Sequence, residues 1–342
     1  MVAGAAYPLA RMDAAWKRLL LNQFHDILPG SAIHEVYEVT REEYAAVAEK
    51  LAALTDERLA ALTPEGDGVT VFNTTGFVRG DVVTLPDATA EALADETGCV
   101  YPVQKTADGG AVVYLANLPA KGRKGFAKAA AVAVGTPFTL SADGHTLETP
   151  FYTVRFDEHG QIAAMFDKDA RREVFKEGQP GNALRVFEDK PIYYDNWDID
   201  NWYTEKFWDV TDVKAFTWTE NGPVRATLHI ERSFSHSTIS QDIHFYANVR
   251  RVDFVTHVDW HEHQSLLKAF FPADVHTDEA TFEVQYGNLT RKTHSNTSWD
   301  VARFESCGQK WCDVSEGHYG VSVLNDCKYG HSVKDGCIGL TL

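Results

Sequence analysis

Apolar residues near the N-terminus recur with the period of an α-helix. They share one helical face at i, i+3, i+4 and i+7 spacing and comprise Trp16, Leu19, Leu20 and Ile27, with the polar Gln23 on the same face. Pro29 and Gly30 predict the end of this helix, and Ser31 is a fitting N-cap for a second helix. The second apolar stripe consists of Ile33, Val36, Tyr37, Tyr44, Val47, Leu51 and Leu54. Residues 12–62 are therefore predicted to form an antiparallel helical pair with a very short connection.

The hydrophobic period changes after residue 64. Residues 69–73 and 82–85 are short, β-branched and bounded by glycine and proline, which predicts a small β-sandwich over 67–137. Strand patterns then dominate, with further strands predicted at 225–234, 239–248 and 252–260. No alternation of strands with helices is visible, so the last region is predicted to be a large antiparallel sandwich. The expected fold is α+β, mainly β, with domains at 1–64, 65–137 and 138–342.

Composition and charge exclude several classes of partner. The formal net charge is −17, and such a surface repels phosphate backbones, which disfavours nucleic-acid binding. The sequence has no run of 18 apolar residues, so no membrane span is expected. Five cysteines, an odd number, and an N-terminus without a signal-peptide pattern predict reduced thiols and a cytoplasmic location. Aromatic residues make up 12% of the chain, which suits carbohydrate sites but also ordinary β-rich cores.

His25 and Asp26 are the first residues with candidate chemistry. They lie beside the predicted helix stop at Pro29, where a histidine ring can project into a neighbouring cleft and a carboxylate can accept a sugar hydroxyl. On sequence pattern alone, the more common alternative is a histidine that only interacts with the helix dipole.

Two later segments combine rings, amides and charges. Residues 193–200 read Tyr-Tyr-Asp-Asn-Trp-Asp-Ile-Asp, which predicts a loop that presents Trp197 as a platform while Asp195 or Asp198 binds hydroxyl groups. The alternative is a structural strand edge with solvated acids. Both interpretations also apply to a second group, which consists of Asn325, Asp326 and Lys328.

A fourth pattern, His257-x-Asp259-x-His261-x-His263, has the period of one strand face. Histidine and aspartate at this spacing could bind a metal. Four ligands spread along one strand make a poor tetrahedron, so a solvated outer face is favoured.

The run from Leu19 to Ser31, Leu-Leu-Leu-Asn-Gln-Phe-His-Asp-Ile-Leu-Pro-Gly-Ser, closely resembles the helical middle domain of glycoside hydrolase family 38 α-mannosidases, in particular their cytosolic and vacuolar class II branch. Later segments agree with the family in the same order, and the resemblance covers essentially the whole chain. These segments are residues 160–168, 172–173, 194–198, 286–287, 293–300, 304–305, 311–316, 319–320 and 324–330.

The resemblance implies a zinc-dependent, retaining hydrolysis of terminal α-mannosides. The family's site holds one zinc ion through a His-x-Asp pair, the nucleophilic aspartate and the histidine of the helical motif, which corresponds to His25. Asp26 would contact the substrate and would not be the nucleophile. The other ligands and both catalytic carboxylates belong to an N-terminal β/α domain that has no place in this sequence. Residues 138–342 would form a truncated galactose-mutarotase-like β-sandwich.

The chain is accordingly expected to be a fragment truncated at both ends and to be inactive alone. Its zinc affinity should be weak, or the zinc ion should be absent. The face on which the catalytic domain would dock should expose apolar surface, so a homo-oligomer through that face is one option. Two alternatives remain open. One is a non-catalytic carbohydrate-binding or assembly module, and the other is a mutarotase-like epimerase, which rests on shared architecture alone.

Overall fold

A computed structural model describes residues 6–85 and 87–342. Its first element is an antiparallel helical pair, with α1 at Leu9–Leu21 and α2 at His34–Leu62. Arg11 at one end of α1 pairs with Glu57, and Arg18 at the other end pairs with Glu43, which fixes the antiparallel direction. None of the described helices is long and apolar enough to cross a membrane.

The prediction that the first helix continues to Ile27 is wrong, because α1 ends at Leu21. The buried Asn22 side chain ends it: its amide donates to the Arg18 carbonyl oxygen at 3.0 Å, and its own oxygen accepts a hydrogen bond from Thr40 at 2.8 Å. An asparagine that bonds the last turn in this way competes with further helix formation. Residues 22–30 consequently form consecutive turns.

The prediction of Ser31 as the N-cap of the second helix is also wrong. The N-cap position of α2 is Ile33, which provides no side-chain hydrogen bond. The Ser31 hydroxyl instead donates to the carbonyl oxygen of Asp26 at 3.4 Å. Ser31 therefore stabilises the turn that contains the candidate site and does not initiate the helix.

Six antiparallel strands form sheet I, in the order β1-β6-β3-β4-β5-β2. The strands β1 to β6 lie at Val69–Asn73, Arg79–Leu85, Ala92–Ala94, Val100–Lys105, Ala111–Leu118 and Gly122–Ala129. All six contribute side chains to one apolar cluster, including the fully buried Leu93, Val113 and Leu115. Sheet I therefore curves around its own core.

Nineteen further strands and two short helical segments follow. The strands β7 to β16 lie at Thr139–Leu140, Thr146–Glu148, Tyr152–Phe156, Ile162–Asp167, Arg172–Glu173, Ala183–Glu188, Phe207–Asp209, Asp212–Asn221, Arg225–Phe234 and Ser237–Tyr246. The strands β17 to β25 lie at Val252–Asp259, Ser265–Pro272, Glu279–Val284, Gly287–Lys292, Ser306–Cys307, Trp311–Glu316, Tyr319–Leu324, Gly330–Lys334 and Cys337–Thr341. A 3-10 helix spans Asn201–Glu205, and a short helix α3 spans Ser298–Val301. The three strands predicted between 225 and 260 lie within two residues of the observed β15, β16 and β17.

These strands form four antiparallel sheets. Sheet II has the order β11-β10-β9-β8-β7, sheet III β13-β12-β18-β25-β24-β21, sheet IV β14-β15-β16-β17 and sheet V β20-β19-β22-β23. One large core lies between sheets II, III and IV, where alternate residues such as Val154, Val186 and Leu228 point inward. A second core joins sheet V to sheet III through Phe282 and Ile338. The mainly β architecture with an N-terminal helical pair is thus confirmed.

His331 in β24 gives one pH-dependent prediction. It is fully buried, and burial lowers the pKa of its imidazole below the ordinary value of 6.5. The unfolded chain therefore binds a proton near pH 6.5, whereas the folded chain does not. The stability that the neutral His331 contributes is present above pH 6.5 and is lost as the pH falls. The loss is expected to approach about 1.4 kcal/mol per pH unit for one such group.

Guanidinium unfolding at about pH 7.5 and about pH 5.5 measures this effect. His331→Gln should lose less stability over that interval than the wild type, because the titrating ring is gone. His236→Gln serves as a control, since the His236 side chain is 84% exposed, and it should follow the wild type. Equal losses in all three proteins would contradict the prediction.

Candidate functional site

The turns between α1 and α2 hold His25 and Asp26 on a fixed backbone. The Tyr37 hydroxyl, from the first part of α2, donates to the Asp26 carbonyl oxygen at 3.2 Å and accepts the amide of Ala32 at 3.0 Å. Ser31 adds a hydrogen bond to the same carbonyl oxygen. The segment is therefore tied back onto α2, although it contains no regular secondary structure.

The two candidate side chains project away from this backbone. The side chains of His25 and Asp26 are 67% and 51% exposed, and the His25 Nε2 lies 3.7 Å from the nearer Asp26 carboxylate oxygen. The Phe24 ring packs beside the imidazole, with ring centroids 4.2 Å apart. This arrangement leaves an imidazole nitrogen free to bind a metal and a carboxylate free to accept hydroxyl groups.

Residues 192–200, the tryptophan loop, form a closed loop between β12 and the 3-10 helix. Its ends meet where the Asp200 carboxylate accepts the amide of Ile192 at 2.9 Å. At its tip the amides of Trp197 and Asp198 both donate to the Tyr194 carbonyl oxygen, at 2.8 and 3.0 Å. Tyr194 has φ of +56°, a conformation that costs energy in a non-glycine residue and is enriched at functional sites.

The tip of the tryptophan loop contacts the turn that bears His25. The Trp197 indole Nε1 donates to the Ser31 hydroxyl at 2.9 Å, and the Asn196 amide reaches the Gly30 carbonyl oxygen at 3.5 Å. The rings of His25 and Trp197 meet edge to face, with centroids 6.1 Å apart. Segments 166 residues apart thus combine a histidine, an acid and an exposed aromatic ring.

A small cavity of about 330 Å³ opens on the tryptophan loop and is lined by Tyr194, Trp197 and Asp198. Its volume lies at the lower end of the range for small-molecule sites, about 300–1,000 Å³. Asp198, one of the predicted hydroxyl-binding acids, therefore faces a cavity. Tyr194 was not among the predicted site residues, although the aromatic density of 193–200 was its signal.

Acidic groups dominate the base of the tryptophan loop. Burial raises the pKa of the Asp189 carboxyl, and the nearby charges of Asp195 and Asp200 raise it further. The carboxylate of Asp195, a predicted hydroxyl-binding residue, accepts the amide of its neighbour Asn196 at 3.2 Å. The resulting negative field favours cations and hydroxyl donors over anionic ligands.

The remaining predicted group, Asn325, Asp326 and Lys328, lies between β23 and β24. Asn325 closes that turn, because its amide donates to the Gln309 carbonyl oxygen and its oxygen accepts the Lys328 amide, both at 2.8 Å. All three residues line a separate, larger cleft of about 1460 Å³ bordered by β17 and β23. None of the three lines the small cavity of the tryptophan loop, and their role as sugar ligands stays a prediction.

The His257 pattern does not lie on one strand. His257 and Asp259 occupy the exposed face of β17, whereas His261 and His263 lie beyond its last residue. His261 pairs with Asp259 at 3.0 Å in solvent. Within residues 6–85 and 87–342, no cluster of three or more histidine, cysteine, aspartate or glutamate side chains could hold a metal.

The turn at His25 offers two possible zinc ligands, the imidazole of His25 and the carboxylate of Asp26. An exposed imidazole with one carboxylate beside it supplies fewer ligands than the four of a closed zinc site. The described residues therefore fit one position in a shared zinc site. A site built from this chain alone is not supported.

Two protein families match most of the chain. Residues 147–342 match the family described as "Glycosyl hydrolases family 38 C-terminal domain", and residues 1–62 match "Alpha mannosidase middle domain". The chain is 32% identical to "Alpha-mannosidase 2C1" of Homo sapiens over 98% of its own length and 32% of that protein. It is 30% identical to "Alpha-mannosidase G" of Dictyostelium discoideum, over 97% of the chain and 34% of that protein. The chain thus spans about a third of the length of these curated relatives.

A solved structure shares the fold. An alpha-mannosidase from Enterococcus faecalis V583 superposes with a TM-score of 0.76 at 17% identity, covering 98% of this chain and 47% of that one. At this identity the likeness concerns the fold alone.

Proposed function

The chain belongs to glycosyl hydrolase family 38, and we propose that it supplies the middle and C-terminal parts of an α-mannosidase that hydrolyses terminal α-mannosides with one zinc ion. One observation carries the proposal. The contact between the His25 turn and the tryptophan loop combines an exposed imidazole, a carboxylate and the ring of Trp197, which also lines a cavity of about 330 Å³. The oligosaccharide substrate is inferred from the relatives, whose names all describe α-mannosidases.

In this proposal His25 holds one coordination position of the zinc ion through an imidazole nitrogen. Bound zinc would supply Lewis-acid stabilisation of mannose hydroxyl groups. The turn suits a ligand, because its backbone is fixed by Tyr37 and Ser31 while the ring itself stays exposed. The edge of Trp197 beside the imidazole limits the directions in which the ring can rotate.

Asp26 and the tryptophan loop bind the sugar itself. The Asp26 carboxylate accepts hydroxyl protons, as its exposure and its position beside His25 allow. Trp197 offers its face to sugar C–H groups while its indole nitrogen stays bonded to Ser31. Asp198 lines the same cavity and Asp195 lies on the same loop, so both can accept further hydroxyl groups.

The catalytic carboxylates lie outside this chain in the proposed enzyme. Retaining glycosidases use two carboxyl groups about 5–5.5 Å apart, one as nucleophile and one as acid and base. We assign both groups, and the remaining zinc ligands, to the part of the curated relatives with which this chain does not align. The chain alone would then bind sugar weakly and would not hydrolyse it.

Two further properties belong to the same proposal. The cysteines are all free thiols, which supports a cytoplasmic location. Apolar side chains are exposed along α1 and the turns that join it to α2, which supports docking of a catalytic domain or self-association there. These side chains are Trp16, Leu20, Leu21, Phe24 and Leu28.

The direct test is turnover of an aryl α-mannoside by the purified chain, with and without added zinc. We expect no hydrolysis in either case, because this chain provides neither catalytic carboxylate. A complete enzyme, meaning a polypeptide of the relatives' length that contains this chain, should hydrolyse the same substrate. Asp26→Ala should abolish that activity, and the control Asp13→Ala, on the exposed side of α1, should leave it intact.

Two outcomes would contradict the proposal. Zinc-dependent turnover by the chain alone that is lost in Asp26→Ala would show that the catalytic groups lie within it. A complete enzyme that binds α-mannosides without cleaving them would favour the alternative of a non-catalytic carbohydrate-binding module.

A further inference from the structure

A lysine is completely buried beneath the tryptophan loop. Lys268 in β18 has no exposed surface, and it points to the face of sheet III opposite the large core, into which Leu267 and Ala269 project. Its Nζ forms an ion pair with Glu305 and lies 3.4 Å from the Tyr203 hydroxyl. Burial lowers the pKa of Lys268, whereas Glu305 opposes that shift.

The same carboxylate oxygen of Glu305 also accepts the Tyr203 hydroxyl. Tyr203 is 4% exposed and packs edge to face on Phe187, with centroids 5.1 Å apart. A largely buried carboxylate, 14% exposed in Glu305, that accepts from both an ammonium and a phenol has a narrowly defined position, because charge-assisted hydrogen bonds are short and directional. Three segments distant in sequence are thereby joined at one oxygen atom.

Tyr203 connects this triad to the loop above it. Its backbone amide donates to the Asp200 carbonyl oxygen at 3.0 Å in the 3-10 helix that follows the loop. The Asp200 carboxylate in turn closes the loop by accepting the Ile192 amide. The base of the tryptophan loop is therefore attached to Glu305 and Lys268, while its tip reaches Ser31 and His25.

We propose that Lys268 is a positioning residue, which acts through Glu305 and Tyr203 to fix the base of the tryptophan loop and so to present Trp197 to the His25 turn. A buried ion pair adds little to stability in comparison with apolar residues of the same volume, but it restricts which geometries are allowed. An apolar residue at position 268 would leave Glu305 without its cation. The carboxylate would then be free to turn toward solvent and release Tyr203.

The relevance of Lys268 to catalysis rests on the proposed function, but its effect on the position of Trp197 can be tested without that function. The chain is labelled with 5-fluorotryptophan, and the fluorine resonance of Trp197 is assigned with Trp197→Phe. Lys268→Met should shift or broaden the Trp197 signal, and so should Tyr203→Phe, which removes only a hydroxyl group and preserves the packing on Phe187. Lys268→Arg, which keeps the charge, should restore part of the wild-type signal. Trp218 in β14 reports on the large core and should not change.

A matched control is Tyr246→Phe. Tyr246 is also buried, and its hydroxyl also bonds a carboxylate, that of Asp253 at 2.7 Å, but it lies in sheet IV. Its variant should leave the Trp197 signal unchanged. Hydrogen exchange in residues 192–200 should accelerate about fivefold or more in Tyr203→Phe, as the loss of one hydrogen bond implies, and not in the control.

The proposal is overturned if Trp197 keeps its signal in a folded Tyr203→Phe variant, or if Tyr246→Phe moves it equally. Should Lys268→Met fail to fold, the Tyr203→Phe result decides the question. A complete enzyme without mannosidase activity would refute the proposed function and leave the fluorine result standing, so the two failures are distinguishable.

Discussion

Replacement of Arg232 by methionine is expected to lower the free energy of unfolding by about 2–4 kcal/mol. Arg232 occupies an inward position of β15 and is fully buried. Its guanidinium donates to the carbonyl oxygens of His159 and Gly160, at 3.1 and 2.8 Å, and to the side-chain oxygen of Gln241 at 2.8 Å. Methionine fills similar space but leaves three acceptors, two of them in buried hydrogen bonds, without this donor, at about 1–3 kcal/mol for each buried group that stays unsatisfied.

The sum of these costs is an upper bound, because the charge of Arg232 is itself expensive to bury. Burial lowers the pKa of its guanidinium to about 10, and its hydrogen bonds are all to uncharged oxygens. Removal of the charge recovers part of the desolvation cost. The side-chain oxygen of Gln241 also accepts the Asn182 side-chain amide at 3.0 Å, so it keeps one partner when Arg232 is replaced.

Guanidinium unfolding at neutral pH measures the change. The control is Arg11→Met, since the Arg11 side chain is 53% exposed and pairs with Glu57 on the surface of the helical pair. That variant should change the stability by about 0–1 kcal/mol. If Arg232→Met stayed as close to the wild type as Arg11→Met, the guanidinium would not be the donor on which this part of the core depends.

Removal of the His25 imidazole is expected to have the largest effect on function. In the complete enzyme His25→Ala would delete the proposed zinc ligand, and zinc retention and turnover should each fall by about 100-fold or more, since even residues that only support a ligand typically contribute 10–100-fold. In the chain alone the same change should leave stability within about 0.5 kcal/mol, because the side chain is 67% exposed and fills no part of a core.

His34→Ala is the matched control for this contrast. Its ring is 75% exposed at the start of α2 and pairs with Glu38 one turn further on. The control should leave zinc content, turnover and stability near the wild type. If His25→Ala unfolds the chain while the complete mutant enzyme keeps its zinc, then His25 is a structural histidine.

The sequence predicts the classes of element well because they depend on local periodicity. The strands near 225–260 follow from alternation, and the large sandwich follows from the lack of helices between strands. The end of α1 could not be read in the same way. It depends on the hydrogen bonds of Asn22 with Glu43 and Thr40 in α2. The helical spacing of Gln23 and Ile27 does not indicate those contacts.

The residues of the candidate site could also be predicted from local sequence, whereas the contacts between them could not. His25 and Trp197 were singled out from their segments, but nothing in either segment encodes the hydrogen bond between Trp197 and Ser31. The support beneath the loop was not predicted at all. In the sequence, Lys268 resembles any other lysine in a strand. Its contacts with Glu305 and Tyr203, which are far from it in sequence, appear only in the structure.

The central claim, that His25 is a zinc ligand of a family 38 enzyme, is tested most directly by X-ray absorption at the zinc edge. The complete wild-type enzyme should show an imidazole nitrogen at about 2.0–2.1 Å from the metal. His25→Ala should lose one such scatterer from the coordination shell, or lose the zinc altogether, while His34→Ala should reproduce the wild-type spectrum. An unchanged zinc shell in His25→Ala would contradict the account.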